Sequence, residues 1–236
     1  MPTNFIEILS IHHSATRLSP DAFRYWNMLT NFGDAAIILP FSCFIIIMLW
    51  WNSGIRHAYR WGLGSLISCC LLGSFKLLFL SCGSSFLPSH MTDALHSPSG
   101  HMGMSTAVYG GIAVLLLKAR PIWLQWSGGF LTLIFLLAMG TSRVVLGCHT
   151  LLEVIIGFLI GTSLPITLMM TETKTTILSK KTALIFIIML GWMTVNYGEN
   201  WHLEDWIRAQ VGLVRSTITS CQKISFVSKS ENSLAP

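Results

Sequence analysis

Long uncharged stretches alternate with short polar loops along most of the chain. Six apolar segments stand out, at residues 35–55, 59–82, 101–117, 122–140, 149–170 and 182–198. A helix needs roughly 20 mainly apolar residues to cross a bilayer, so the third and sixth segments are on the short side. The apolar residues are continuous rather than alternating, which argues against membrane β-strands. The pattern therefore predicts an all-α protein, a bundle of six transmembrane helices.

The first 34 residues differ from these segments. They carry five charged residues and no compact apolar stretch, which argues against a signal peptide. Ser19, Pro20 and Asp21 form a typical helix start, and an amphipathic helix is predicted from there to Asn31. This helix either lies in the membrane interface or caps the bundle. We expect an N-terminal amphipathic segment at 1–34, a six-helix membrane domain at 35–198 and a polar C-terminal tail at 199–236.

Composition supports the membrane assignment. Hydrophobic residues make up 52% of the 236 residues and charged residues only 11%, with a mean hydropathy of +0.62. A soluble domain has about 25% charged residues, so the composition argues against a soluble enzyme and a disordered protein. The 15 basic residues form no cluster, which argues against a nucleic-acid partner despite the net charge of +5. The six cysteines show no metal-site spacing.

Basic residues in the loops predict the orientation of the bundle. The loops after the first, third and fifth segments contain Arg56 and Arg60, then Lys118 and Arg120, then Lys174, Lys180 and Lys181. The loops after the second and fourth segments contain a single basic residue, Arg143. We therefore expect a bacterial inner-membrane protein whose second and fourth loops face the periplasm. With six spans, both termini would also lie outside. Basic residues in the tail fit that placement poorly, and either a tail that folds back onto the membrane or a miscounted span would explain them.

Polar residues in or beside the apolar segments collect at the predicted outer end. They are Lys76, Ser97–His101, Ser142, Arg143, His149 and Glu153. Ionisable groups inside a membrane are costly and mark functional sites. Structural alternatives exist, because Lys76 and Arg143 could extend to the headgroups and Ser99 with Gly100 could form a simple turn. The convergence of the whole set at one end favours a common site.

The residue types in this set indicate phosphoryl transfer. His149 and Glu153 are four residues apart and would be neighbours on one helix face. There the carboxylate can hold one imidazole nitrogen and leave the other free to attack. His101 is a second imidazole that can donate a proton to a leaving oxygen. Four further residues could bind phosphate oxygens. Ser99 offers a hydroxyl, the helix start at Gly100 offers backbone N–H groups, and Arg143 and Lys76 offer positive charge.

These residues resemble the motifs of the type 2 phosphatidic acid phosphatase family, which includes membrane lipid phosphatases and soluble relatives. Its motifs are Lys, six residues and Arg-Pro; then Pro-Ser-Gly-His; then Ser-Arg, five residues, His, three residues and Asp. Pro98–His101 matches the second motif intact. The third is matched by Ser142-Arg143, His149 and Glu153, with Glu in place of Asp. In the first motif Lys76 is present, but Gly83-Ser84 replaces Arg-Pro.

The resemblance implies a role for each matching residue. His149 would form a phosphohistidine intermediate, Glu153 would orient it, and His101 would protonate the leaving oxygen. The phosphate would be held by Lys76, Ser99, Gly100 and Arg143. No metal or other cofactor is needed. Because one phosphate-binding cation is missing from the first motif, Arg143 and Lys76 would carry more of the negative charge, or His90 or His96 would assist.

We therefore expect a membrane-embedded phosphatase that hydrolyses a lipid phosphate or diphosphate at the extracytoplasmic face. Candidate substrates are a polyprenyl mono- or diphosphate, phosphatidylglycerol phosphate, phosphatidic acid and a phosphate on lipid A. The same residues would serve a lipid-to-lipid phosphotransferase. The degenerate first motif leaves a lipid-binding or translocating protein on this scaffold as a further alternative.

Two smaller features concern packing and covalent links. Gly157 and Gly161 continue the row of His149 and Glu153 at four-residue intervals, which predicts close approach of a neighbouring helix. Cys82 and Cys148 both lie near the predicted outer end, where an exported location would permit a disulfide. Nothing in their spacing shows whether they pair.

Overall fold

The computed structural model describes residues 18–82, 95–170, 180–198 and 203–217, and the regular structure in these ranges is entirely α-helical. In chain order the helices are α1 (Pro20–Asn31), α2 (Ala35–Ser53), α3 (Ile55–Cys82), α4 (Gly100–Leu117), α5 (Ile122–Val145), α6 (Leu151–Gly161), α7 (Ser163–Met170), α8 (Lys180–Val195) and α9 (Leu203–Thr217). The all-α prediction is thus confirmed for these ranges. The division into three segments stays a prediction, and much of the two terminal segments, residues 1–17 and 218–236, lies outside the described residues.

Five helical segments are long and apolar enough to cross a membrane. They are Pro20–Ser53, Ile55–Cys82, Gly100–Leu117, Ile122–Val145 and Leu151–Met170. The sixth predicted segment contains α8, which has 16 residues. At 1.5 Å per residue it is about 24 Å long, shorter than the roughly 30 Å of a hydrocarbon core. The structure therefore supports five spans in the described ranges, and the sixth stays a prediction.

An apolar core joins α2, α3, α4, α7 and α8. Trp61 of α3 is fully buried in it, and its Nε1 donates to the Oγ of Ser42 on α2 at 2.9 Å. Met189 brings α8 into the same core. The outer face of α5 is the opposite case, because its apolar side chains are exposed, with Trp126 at 75% and Leu131 at 66%. A helix that is apolar on its exposed face as well as its packed face is typical of a membrane span.

Helix α1 packs against α5 at one end of the bundle. The predicted N-cap by Ser19 is present. The Tyr109 hydroxyl donates to the carbonyl of Phe32 at 2.8 Å, and the Tyr197 hydroxyl donates to the carbonyl of Met28 at 2.8 Å. These contacts tie α1 and the turn after it to the bundle and support its predicted alternative role as a cap. A position in the membrane interface stays a prediction.

The fifth predicted span begins later than expected and is interrupted. Thr150 is the N-cap of α6, with its hydroxyl accepting from the Glu153 N–H at 3.3 Å, and a turn at Thr162 separates α6 from α7. The threonine sets this boundary because its side chain satisfies an N–H that has no partner within the helix. His149 therefore lies in the turn before α6, which corrects the prediction that His149 and Glu153 share a helix face.

Glycines allow α6 to lie directly on α4. A Cβ atom on Gly157 would sit 2.5 Å from the carbonyl oxygen of Ser99, and one on Gly161 would collide with the carbonyl oxygen of Gly103. The prediction of close approach at these two glycines is confirmed. This glycine-lined contact, the α4–α6 seam, holds the start of α4 against the first turns of α6, which carry Glu153.

Candidate active site

The start of α4 and the start of α6 lie side by side at one end of the bundle. The Ser99 N–H donates to the carbonyl of Glu153 at 3.0 Å. The far ends of α4 and α7 also meet, since the Lys118 ammonium donates to the carbonyls of Leu168 and Met169 at 3.0 and 2.7 Å. The predicted site residues and the predicted cytoplasmic Lys118 therefore lie at opposite ends of α4.

The carboxylate of Glu153 is buried and accepts four hydrogen bonds. Oε1 accepts from the backbone N–H groups of His96 and Ser97 at 2.7 and 2.8 Å. Oε2 accepts from the backbone N–H of Thr150 at 3.1 Å and contacts His149 Nδ1 at 2.7 Å. Four donors around two oxygens suit a carboxylate anion, which has lone pairs for all of them. Glu153 thus fixes the loop before α4 and the turn before α6 at the same time.

His149 is held from both of its sides. Its backbone N–H donates to the carbonyl of Arg143 at 3.2 Å, and Gly147 with a φ of 69° allows the loop after α5 to fold back in this way. Its Nδ1 faces the Glu153 carboxylate, which assigns the proton of the neutral ring to Nδ1 and leaves the Nε2 lone pair available. The His149 side chain is 9% exposed. The predicted histidine–carboxylate pair is therefore assembled.

Ser99 and Gly100 form the start of α4. Ser99 is fully buried and is the N-cap, with its Oγ accepting from the Met102 N–H at 3.4 Å. Gly100 is the first helical residue. The hydroxyl of Ser99 therefore has a structural function in this structure, and its contact with phosphate stays a prediction. The N–H groups at the helix start remain suited to an anion.

His101 lies in the first turn of α4 beside a residue that the sequence analysis did not select. Its Nε2 is 3.6 Å from Oδ2 of Asp34, and the His101 side chain is 29% exposed. His101 also interacts electrostatically with Arg143 and His149, so it belongs to the same site. One sequence signal pointed to Asp34, because an Asp just before an apolar helix is a common N-cap and would lie at the same predicted end.

Arg143, near the end of α5, carries an unsatisfied donor. Its Nη1 donates to the hydroxyl of Thr30 on α1 at 3.1 Å. Its Nε is buried and has no hydrogen-bond partner among the described residues. Buried donors are normally satisfied, so this N–H indicates a place for an anion. Thr30 of α1 is, after Asp34, a second residue that the sequence analysis did not select.

Lys76 of α3 is buried and lines a cavity of about 140 Å³ that reaches His101. Asp34 and Cys69 supply the other polar side chains of this lining, and Gly100 also belongs to it. The apolar wall comes from α2, α3, α4 and α9 and includes Ile38, Leu39, Leu72, Met104 and Ile207. Arg143, Ser99 and His149 are not part of this lining, whereas His101 lines the cavity and also interacts electrostatically with His149.

Other predictions have separate outcomes. Cys82 is disulfide-bonded, but Cys148 is a free, exposed thiol, so the open possibility of a Cys82–Cys148 bridge is excluded. Gly83-Ser84 of the first motif and His90 lie outside the described residues. His96 does approach the site, through its backbone N–H. In the described ranges no group of three or more His, Cys, Asp or Glu side chains could hold a metal ion.

An uncharacterized 22.5 kDa protein in the cps region of Klebsiella pneumoniae is 30% identical over 139 residues, which cover 58% of this chain and 64% of that protein. The chain thus spans less than two thirds of the length of this relative. No solved structure matches significantly.

Residues 79–177 match the PAP2 superfamily, that of the type 2 phosphatidic acid phosphatases, whose members are generally phosphatases. The matched range contains Pro98–His101, Arg143, His149 and Glu153, whereas Lys76 of the degenerate first motif lies just before it. The apolar helices of the described ranges fit a membrane protein. The resemblance inferred from the intact second motif and the correctly spaced third motif is therefore confirmed: residues 79–177 of this chain match the PAP2 superfamily.

Proposed function

We propose that this protein is a membrane-embedded phosphatase that hydrolyses a lipid phosphate or diphosphate through a phosphohistidine intermediate. The observation that carries the proposal is the 2.7 Å contact between His149 Nδ1 and Glu153 Oε2. This contact orients the ring and leaves Nε2 as the nucleophile, the arrangement required of an activated imidazole.

The reaction has two steps that use the same pair of histidines. In the first, Nε2 of His149 attacks phosphorus, the bond from phosphorus to the lipid oxygen breaks, and His101 gives its proton to that oxygen. In the second, water attacks the phosphohistidine, His101 takes a proton from the water, and inorganic phosphate leaves. Each step restores what the other consumed, so one acid–base residue serves both.

Charge on the transferring phosphoryl group would be stabilised by fixed donors. The unsatisfied Nε of Arg143 and the N–H groups at the start of α4 are such donors. Lys76 and Ser99 complete the proposed phosphate-binding set. Stabilising the equatorial oxygens accounts for most of the catalysis of phosphoryl transfer. The chain supplies these groups itself, so we expect turnover to continue in the presence of a chelator.

A lipid substrate is supported by the cavity beside His101. Its walls are mainly apolar, and its polar residues gather around His101 and Lys76. A hydrocarbon chain in the cavity would bring a phosphate at its end to His101. Polyprenyl mono- or diphosphate, phosphatidylglycerol phosphate, phosphatidic acid and a lipid A phosphate all have this form.

We further propose that the site faces the periplasm of a bacterial inner membrane. Basic residues such as Arg56, Lys118 and Arg120 lie in loops assigned to the other side by the positive-inside rule. The disulfide of Cys82 supports the same orientation, because Cys82 ends α3 one and a half turns beyond Lys76 and disulfides persist in oxidising compartments.

Phosphate release from a panel of lipid phosphates tests the proposal, with His149→Ala compared against Cys148→Ala. The neighbouring Cys148 is exposed and serves as the matched control. We expect His149→Ala to lose activity by at least about a thousandfold and Cys148→Ala to stay near wild type. An acid-labile phosphoenzyme should form from ³²P-labelled substrate in wild type and Cys148→Ala but not in His149→Ala.

The same experiment separates the alternative functions. Transfer of the label to an added acceptor lipid, with no free phosphate, would identify a phosphotransferase. Binding of a lipid phosphate without turnover by wild type would indicate a lipid-binding or translocating protein. Near-normal turnover by folded His149→Ala would contradict the mechanism.

A further inference from the structure

The turn between α1 and α2 enters the candidate active site from outside the range that matches the superfamily. We propose that Asp34, in this turn, is a positioning residue that orients His101 in the way that Glu153 orients His149. Asp34 can act this way only if His101 is the proton donor, so the inference rests on the proposed function.

The two oxygens of Asp34 have different partners. Oδ1 accepts from the N–H of Ala36 at 2.9 Å and so caps α2. Oδ2 lies 3.6 Å from Nε2 of His101. One oxygen is thus anchored by the backbone while the other is directed at the imidazole. The separation is an ion-pair distance rather than a hydrogen bond, and such contacts often shorten when substrate binds.

The turn that carries Asp34 is fixed by contacts with two other helices, α4 and α5. The hydroxyl of Tyr109, on α4, donates to the carbonyl of Phe32 at 2.8 Å. Gly33 lies so close to α5 that an added Cβ would be 2.6 Å from Met139. The hydroxyl of Thr30, one helical turn earlier, accepts from Arg143. Because these contacts hold the turn, the carboxylate has little freedom to move away from His101.

This geometry defines what Asp34 would do in the reaction. With Nε2–H directed to the carboxylate, Nδ1–H is the group left to face the leaving oxygen. After His101 gives up the Nδ1 proton, the carboxylate continues to hold Nε2–H, so the ring keeps its orientation for the second step. A histidine whose orientation is set by a third group is the usual arrangement of an acid–base residue.

Asp34→Asn and Asp34→Ser test this role because both retain the helix cap. Asn and Ser are good N-cap residues, so α2 should remain capped while the carboxylate is lost. We expect kcat/KM for an alkyl lipid phosphate to fall about 10- to 100-fold, the effect of losing a charged hydrogen bond. For 4-nitrophenyl phosphate the fall should be only a few-fold, because its leaving oxygen needs little protonation. kcat/KM reports the first step even if the second step limits turnover.

A second comparison asks whether Asp34 acts through His101. In a His101→Ala background, Asp34→Asn should cause no further loss, since the group that it positions is absent. Thermal unfolding of each variant in detergent should show a stability close to that of wild type. A merely structural role would lower stability and affect both substrates equally.

The outcomes are distinguishable. If wild type releases no phosphate from any substrate, the proposed function fails. If His101→Ala is impaired but Asp34→Asn and Asp34→Ser stay within twofold of wild type on the alkyl substrate, only the role of Asp34 is overturned. The role of Asp34 is also overturned if Asp34→Asn lowers kcat/KM as much in the His101→Ala background as it does in wild type.

Discussion

Glu153 shows how a single residue can combine a structural function with a proposed catalytic one. It occupies the third position of α6, and its side chain reaches back to the N–H of Thr150 in a capping box. The same carboxylate holds His149 and the backbone of His96 and Ser97. The extra methylene relative to the superfamily's Asp is therefore used, because a shorter side chain would not extend to both the capping contact and the loop before α4.

Replacing Glu153 by Asp and by Gln should separate these functions. Asp retains the charge but loses reach, so we expect bonds to the loop before α4 to fail and stability to fall by about 1–3 kcal/mol. Gln retains reach but presents an amide, so it should reduce phosphate release more than Asp does. Thermal unfolding and initial rates measured on the same preparations check both. If the Asp variant is as stable as wild type, the contacts to His96 and Ser97 contribute nothing to the free energy of unfolding.

At the scale of helices, the site depends on how closely α4 and α6 approach. Gly157 faces the carbonyl of Ser99, which is the residue before α4, and the neighbouring Ser99 N–H donates to Glu153. Any widening of this seam would move the start of α4, with His101, away from the turn that carries His149. The distance between the two histidines is thus set by glycines that touch neither of them.

Gly157→Ala tests this dependence, with Gly129→Ala as the matched control. The new Cβ would meet backbone rather than a flexible side chain, so we expect a loss of about 1–3 kcal/mol in stability and a clear loss of activity. Gly129 lies exposed in α5 with open space around it, and Ala there should be neutral or slightly stabilising. Equal behaviour of the two variants in thermal unfolding and phosphate release would contradict the argument.

The helices show what hydropathy can predict. The segments predicted at 59–82 and 101–117 correspond to α3 and α4 within a few residues, because a mainly apolar run of this length has few other structures available. The break at Thr162 and the start of α6 at Leu151 were missed, since they depend on single caps inside an apolar run.

The site residues Thr30 and Asp34 were missed for another reason. Their partners, Arg143 and His101, are distant in sequence, and only the packed bundle brings them together.

For the whole molecule, the two ends of the bundle differ in chemistry. One end carries His101, His149, Arg143 and the disulfide-bonded Cys82. The other carries Lys118, bound to the carbonyls that end α7, and Arg120. The proposed lipid phosphatase activity would reach only substrates in the leaflet that the site faces, so orientation decides the substrate pool.

The orientation can be measured through the native thiol next to His149. Cys148 is exposed, so a membrane-impermeant maleimide added to intact spheroplasts should label it if the site faces the periplasm. Cys148→Ala should remove this labelling. An Arg120→Cys substitution in the Cys148→Ala background places a thiol at the opposite end, where labelling should require permeabilised membranes. The reverse pattern would place the site on the cytoplasmic side, and the substrate would then have to be a lipid phosphate of the inner leaflet.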